Sequence, residues 1–223
     1  MAHRVFDRAA LRAILPWHRI CRVNPVADSS QSASSGATSA PLPTSHAHRW
    51  SIVILLFFAS LINYFDRATI SIALPMISKE LALGPAAEGL LLSAFFWSYA
   101  LMQVPIGWCA DRLNLRWVYA AAFLLWSVAQ GLTGLAGGLS ALIVFRIILG
   151  IGESVYLPGG SKIVSLLFPI EDRGLPSGFF DFGTRTGLLL EGLLIPSMLM
   201  RYGWRKTFMA VGFLALVWLT PWP

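Results

Sequence analysis

The sequence predicts an all-α membrane protein, a bundle of six transmembrane helices. Three features lead there. Of 223 residues, 56% are hydrophobic and only 13% are charged, about half the charge of an ordinary soluble domain, and the mean hydropathy is +0.66. From Trp50 onward the apolar residues run in blocks of about 20, the length a helix needs to cross roughly 30 Å of hydrocarbon. Short polar connections join the blocks, as between antiparallel neighbours in a bundle.

Residues 1–48 read as a disordered basic cytoplasmic tail, and 49–223 as the transmembrane domain. The second half of the tail, ADSSQSASSGATSAPLPTSHAH, is too poor in apolar residues to fold. Six arginines (Arg4, Arg8, Arg12, Arg19, Arg22 and Arg49) lie in the first 49 positions. The net charge of +6 is therefore largely that of a tail on a membrane protein and gives no reason to invoke nucleic acid. An unstructured extension, a start site assigned too early, and an Arg- and Ser-rich organelle transit peptide all fit this composition. A secretory signal does not, for want of an apolar core. All four histidines (His3, His18, His46, His48) lie in the tail, which removes imidazole from any mechanism inside the bilayer. The two cysteines, Cys21 and Cys109, have no evident partner, so no disulfide is expected.

The six spans are expected at about 50–77, 87–109, 116–137, 139–167, 176–200 and 205–221. The longer ones tilt or bend, with Pro75 and Pro158 as the bending points. The sixth is short and ends in WLTPWP without a following charge, which reads as a chain cut at the membrane edge. Basic residues nearly balance across the membrane: Arg112, Arg116 and Arg173 on one side, Lys79, Arg201, Arg205 and Lys206 on the other. Loop charge thus barely chooses an orientation.

The second span ends in GWCADRLNLRW. Gly107, Asp111, Arg112 and Arg116 resemble the major facilitator superfamily signature G-x-x-x-D-R-x-G-x-R/K, which implies the N-terminal half of that fold, a cytoplasmic N-terminus and a gating role for these four residues. Asn114 stands where glycine is usual and tolerates positive φ. Gly107 is expected to let two helices approach closely, and Asp111 to pair with arginines and cap a neighbouring helix. Three further stretches, NYFDRATISIALP, FRIILGIGESVYLPGG and FPIEDRGLPSGFFDFG, resemble the anion:cation symporter family, whose members move sugar acids and other organic anions. The resemblance implies proton sites at Asp66 and Glu153, an anion site at Arg146, and a bacterial inner membrane ahead of an organelle as location.

The residues themselves point the same way. A charge at mid-bilayer costs about 2.5–3.5 kcal/mol even on the gentlest scale, so it faces a cavity or a partner. Asp66 and Arg67 stand side by side in an apolar span. Arg146 and Glu153 are seven residues apart, which puts them on one helix face about 10 Å apart. Arg67 or Arg146 can grip a substrate carboxylate with the guanidinium fork, while Asp66 and Glu153 bind and release a proton whose affinity the neighbouring arginines set. The alternative for both pairs is a structural salt bridge. Tyr64, Tyr99 and Gln103 can hydrogen-bond substrate hydroxyls, with Asn63 and Ser98 behind them. On the fifth span Thr184 and Arg185 are further candidates, although Asp181 and Arg185, four apart, are expected to neutralise each other. Glu191 has no evident mate. Gly178, Gly183, Gly187 and Gly192 are spaced for close helix packing.

This reading excludes an enzyme. Gly152-Glu153-Ser154 superficially resembles an intramembrane serine nucleophile, but no histidine lies in the spans to serve as its base, and no H-E-x-x-H metal motif exists. The expected partners are the lipid bilayer, a small organic anion, and a C-terminal half or second half-transporter. No cofactor is expected beyond a coupling proton. A superfamily member has two six-span halves around a midplane site, so the expectation is a half-carrier, against the alternative of a non-transporting truncated product. The particular anion is left open among sugar acids, aromatic acids and phosphate.

Overall fold

The computed structural model describes residues 45–222. The expectations for a disordered tail and for Cys21 lie outside the described residues, save that positions 45–48 already begin the first helix. Helix α1, His46–Leu81, starts at Ser45, whose hydroxyl oxygen accepts from the His48 backbone N–H at 3.3 Å; this satisfies one of the unpaired donors of the first turn. Helix α2, Pro85–Arg112, opens on a proline, whose missing N–H costs nothing at that position. Helix α3 is Leu115–Thr133, α4 Leu139–Glu153, α5 Tyr156–Leu167 and α6 Gly174–Ala215. Single 3₁₀ turns follow at Ile170–Asp172 and Leu216–Leu219.

The chain is an all-α, multi-pass membrane protein, but by length and apolarity only three stretches qualify as spans: α1, α2 and the α4–α5 run Leu139–Leu167. The other three expected spans fall short for visible reasons. Helix α3 has 19 residues and carries Arg116, Ser127 and Gln130 among them. The fifth and sixth expected spans form the single element α6, 42 residues long, broken at Gly203 (φ 74°, ψ 168°). That backbone geometry is one glycine adopts freely. Asp181, Arg185 and Glu191 dilute its first part, and its last residues tighten into the 3₁₀ turn.

The two prolines behave differently. Pro158 sits in the first turn of α5, just after the helix breaks at Ser154–Val155. Lacking an N–H, it cannot bond the Ser154 carbonyl, and its ring crowds that group. At Pro75, by contrast, α1 continues as one helix.

Helices α1 and α6 lie in parallel contact. A side chain at Gly183 would strike the Phe57 carbonyl and Ser60, and one at Gly187 the backbone of Leu61; the contacts advance together along both chains. Gly178 and Gly192, expected to share this role, face open space.

Two apolar clusters fill the bundle. One contains Val53, Leu56 and Ala59 of α1 with Phe95, Phe123, Trp126, Phe180 and Trp218. The other contains Ile70, Ala73 and Ile77 of α1 with Leu91, Leu142, Ile195, Leu199 and Phe208. Between them along the helices lie the buried polar residues Ser60, Asn63, Asp66 and Thr69 of α1, Gln130 of α3, Arg146 of α4 and Thr184 and Glu191 of α6, and that interval holds the candidate site.

At one end of the bundle, beyond the first expected span, the Glu80 carboxylate accepts from the Trp204 indole N–H (2.6 Å) and from Arg205 Nε and Nη2 (3.1 and 2.9 Å). Arg205 Nη1 also donates to the carbonyls of Gly134 (3.3 Å) and Ala136 (2.7 Å). One guanidinium thus joins the end of α1, the α3–α4 turn and the segment after the Gly203 break. The indole hydrogen bond, then Arg205, hold the Glu80 carboxyl below its ordinary range.

Candidate functional site

Helix α1 sets the site. Ser60, Asn63, Asp66 and Thr69 recur every three residues and are all fully buried, a polar stripe one helix turn per step. Asp66 is about 30 Å from the His46 end of α1 and about 22 Å from the Leu81 end at 1.5 Å per residue, near the middle of the helix. Helix α4 contributes Arg146, 2% exposed, and Glu153, fully buried; α3 contributes Gln130 and α6 contributes Thr184 and Glu191, all buried.

The ion pair at the centre joins two helices. Arg67 Nε donates to Glu153 Oε2 at 2.6 Å; the arginine side chain is 19% exposed and the glutamate's not at all. The guanidinium carbon also lies 4.3 Å from the Tyr99 ring centre and 5.2 Å from those of Tyr64 and Phe95. Three ring faces thus hold the cation where water cannot surround it. Glu153 therefore takes its partner from α1, although Arg146 shares its helix face.

Arg146 is left with buried Nε and Nη2 that have no hydrogen-bond partner, and Asp66 with two such oxygens. Both feel Glu153 and one another electrostatically. Buried polar atoms of a folded protein are nearly always satisfied, so four orphaned atoms on two neighbouring charged groups mark a place made to interact with something else. Asp66 is held at its backbone, where the Gln130 amide N–H donates to its carbonyl oxygen at 3.2 Å.

The remaining expected site residues divide. Tyr64 is half-buried and stacks edge-on to Tyr156, whose hydroxyl is 2.8 Å from Ser60 Oγ. Thr184 is buried, but its hydroxyl donates to the Asp181 carbonyl of its own helix at 2.7 Å. Gln103 is half-buried with no polar contact among the described residues. Arg185 is exposed and forms no ion pair with Asp181, also exposed. The expected neutralisation does not occur, because both side chains are exposed and their heads can turn away from each other.

The signature stretch differs from expectation in detail. Asp111 pairs with Lys162 of α5 at 2.7 Å, not with an arginine, and Lys162 Nζ also donates to the Ala110 carbonyl at 2.7 Å. Arg112 and Arg116 instead lie over the rings of Trp108 (4.3 Å) and Trp117 (5.1 Å). Helix α3 is capped by Asn114, whose Oδ1 accepts from the Arg116 N–H at 3.1 Å. Its φ is −65°, so asparagine is there for its side-chain oxygen and not for a positive φ. A side chain at Gly107 would meet nothing within 4 Å; the glycine borders an open cleft of about 500 Å³ with Pro158, Ser161 and Lys162.

Gln130, Lys162 and Tyr156 are the contributors that residue-type reasoning passed over. A signal existed for the first, a lone amide in the apolar run of α3, and for the α1 stripe, whose three-residue spacing is visible in the sequence.

Residues 56–222 match the profile of the Major Facilitator Superfamily. Over 170 residues the chain is 35% identical to the probable L-galactonate transporter of Escherichia coli, covering 74% of this chain and 38% of that protein. It is 34% identical over 181 residues to the probable galactarate/D-glucarate transporter of Bacillus subtilis (77% and 40%), and 39% identical over 181 residues to probable anion transporter 4, chloroplastic, of Oryza sativa (78% and 30%). In fold it is similar to an inward-facing bacterial homologue of the human lysosomal transporter Spinster, with TM-score 0.69 and 24% identity over 79% of this chain and 42% of that one. The chain thus spans less than half the length of these proteins.

Proposed function

The chain belongs to the major facilitator superfamily, and from that premise we propose that it is the N-terminal six-span half of a proton-coupled symporter for an organic anion, a sugar acid or related carboxylate, of the anion:cation symporter type. The similarity is to transporters, and the chain is not an enzyme. The observation that carries the proposal is Arg146: a guanidinium 2% exposed, with two nitrogens unpartnered, beside Asp66 and Glu153. A buried cation with free donors is a binding site for an anion.

In this reading Arg146 takes the substrate carboxylate. Arg67, already committed to Glu153, is the element that the substrate or a proton can disturb. Asp66 and Glu153 bind and release the coupling proton, and Tyr64, Tyr99, Gln103 and Thr184 offer substrate contacts. The charge at Arg185 tunes the approach. Gly107, Asp111, Arg112 and Arg116 act in gating, with Lys162 as the partner of Asp111. The relatives carry galactonate, galactarate or glucarate by name, which makes a polyhydroxy acid the first substrate to try. A second six-span half supplies the opposite wall of the cavity, and the bacterial inner membrane, with the basic tail cytoplasmic, is the location.

The test is uptake of radiolabelled galactonate and glucarate into vesicles holding the complete carrier, driven by an inward proton gradient. Arg146→Gln is expected to abolish binding. Asp66→Asn and Glu153→Gln should each retain binding and lose the response to the gradient. Gradient-driven uptake that survives both acid substitutions would sink the proton assignment.

A further inference from the structure

Glu191 is the buried acid to which the proposed mechanism gives no task. It lies on α6 at 2% exposure, one turn beyond Gly187, whose backbone rests on Leu61 of α1. Because α1 and α6 run parallel, that turn brings Glu191 level with Phe65 and Asp66, and the two carboxylates interact electrostatically. Neither Asp66 oxygen has a hydrogen-bond partner, and nor has Glu191 Oε1. Gln130 is an independent pointer. It is fully buried, its N–H is spent on the Asp66 carbonyl, and its own oxygen is unpartnered. An unpartnered acceptor is satisfied only by a donor, and a carboxyl group offers one only when protonated.

The charge inventory carries the argument. The buried charged side chains among the described residues are Asp66, Glu153, Glu191 and Arg146, and Arg67 adds a second guanidinium through its bond to Glu153. From the other helices, α2 brings Tyr99, α5 brings Tyr156, and α3 brings only the uncharged Gln130; Asp181 of α6 reaches Tyr156 electrostatically but is exposed and so stands outside the buried count. Glu191 reaches the group through Asp66, so three buried acids stand against two permanent cations. With every acid ionised, one negative charge is left over in an apolar slab where a lone charge is costly. One proton removes it.

We propose that Glu191 joins Asp66, Glu153, Arg67 and Arg146 in a single charge cluster, and that its presence makes the cluster retain one proton at neutral pH while the anion site is empty. The proposal rests on the reading of Asp66 and Glu153 as proton-coupling groups. A substrate carboxylate arriving at Arg146 adds one negative charge, and the cluster then takes a second proton, so that one anion and one proton enter together. The first proton stays behind. With glutamine at 191 the empty cluster is neutral without any proton.

The test is infrared spectroscopy of the whole chain in lipid vesicles at pH 7. It reads the C=O stretch of protonated carboxyl groups, which is separate from the carboxylate bands. The wild-type chain is expected to show one protonated carboxyl per molecule. Glu191→Gln should show none, and Glu191→Asp should restore it. Arg146→Gln, which leaves position 191 intact, should show two. A Glu191→Gln spectrum that keeps the wild-type band overturns the inference. If that variant does not fold by circular dichroism, an unchanged band in Arg146→Gln overturns it instead. A wild-type chain with no band that gains one when galactonate, a monocarboxylate, is added also defeats the role of Glu191 but leaves the symport reading standing. A chain with no band before or after galactonate defeats both.

Discussion

The Arg67–Glu153 pair makes an asymmetric prediction. Removing the arginine (Arg67→Met) leaves Glu153, fully buried, facing an apolar interior without its partner. Breaking a buried pair in this way costs about 3–5 kcal/mol. Removing the acid's charge (Glu153→Gln) leaves Arg67, whose side chain is 19% exposed and rests against three aromatic rings, and the new amide oxygen can still accept from Nε. What is lost is the charged part of one hydrogen bond, about 1.5–3 kcal/mol, while the ring contacts that hold the cation persist. Arg67→Met, at about 3–5 kcal/mol, should therefore be the more damaging by roughly 2 kcal/mol. The double variant should lie close to Glu153→Gln alone, because it leaves no unpaired charge. The assay is unfolding of the purified chain in mixed micelles, followed by helical circular dichroism as denaturing detergent is added. Glu153→Gln proving as costly as Arg67→Met would refute the reasoning, since it would mean that the rings do not hold the cation.

Three further outcomes follow from other parts of the bundle. Gly187→Val drives a branched side chain into the α1 backbone and should lower stability by about 1–3 kcal/mol. Gly192→Ala, facing open space one turn away, should stay within about 0.5 kcal/mol, and detergent unfolding compares the two. Lys162→Met breaks a pair whose side chains are 28% and 70% exposed; the cost should be under about 1 kcal/mol and vanish at high salt. Glu80, held low by Trp204 and Arg205, stabilises the fold above the ordinary glutamate value of 4.5. That contribution is lost as the pH falls below 4.5 through its lowered folded value. Comparison of acid unfolding with Glu80→Gln should show the difference between the two proteins shrinking in that window.

How far the sequence alone carries can be judged at particular residues. Asp66, Arg67, Arg146 and Glu153 were legible because charge in an apolar run is expensive enough to need a reason. Their pairing was not. Arg146 and Glu153 share a helix face by spacing, but Arg67 is the partner, since contact between helices depends on rotation and depth that periodicity within one helix leaves free. The same holds for Asp111 and Lys162, 51 positions apart. Three spans were legible from apolar length. The others depend on polar residues, such as Gln130 and Glu191, that face inward and so weaken the hydropathy signal of the helices carrying them. Gly183 and Gly187 follow the close-packing spacing and Gly178 and Gly192 flank them, yet only the middle two meet α1. A step of four keeps Gly183 and Gly187 on one face, while the steps of five to Gly178 and Gly192 turn those two about 140° away from it.

The break at Ser154–Val155 comes directly after Glu153, which is the last residue of α4. The carbonyls of a helix's last turn carry partial negative charge, and those nearest Glu153 are answered by one serine: the Gly150 carbonyl accepts from the Ser154 N–H at 3.1 Å and the Ile151 carbonyl from the Ser154 hydroxyl at 2.7 Å. The chain thus passes from α4 to α5 without leaving those backbone acceptors bare, and the carboxylate that stands at the seam is bonded by a cation from another helix. The seam seals its own backbone and leaves its side-chain charge to a neighbour.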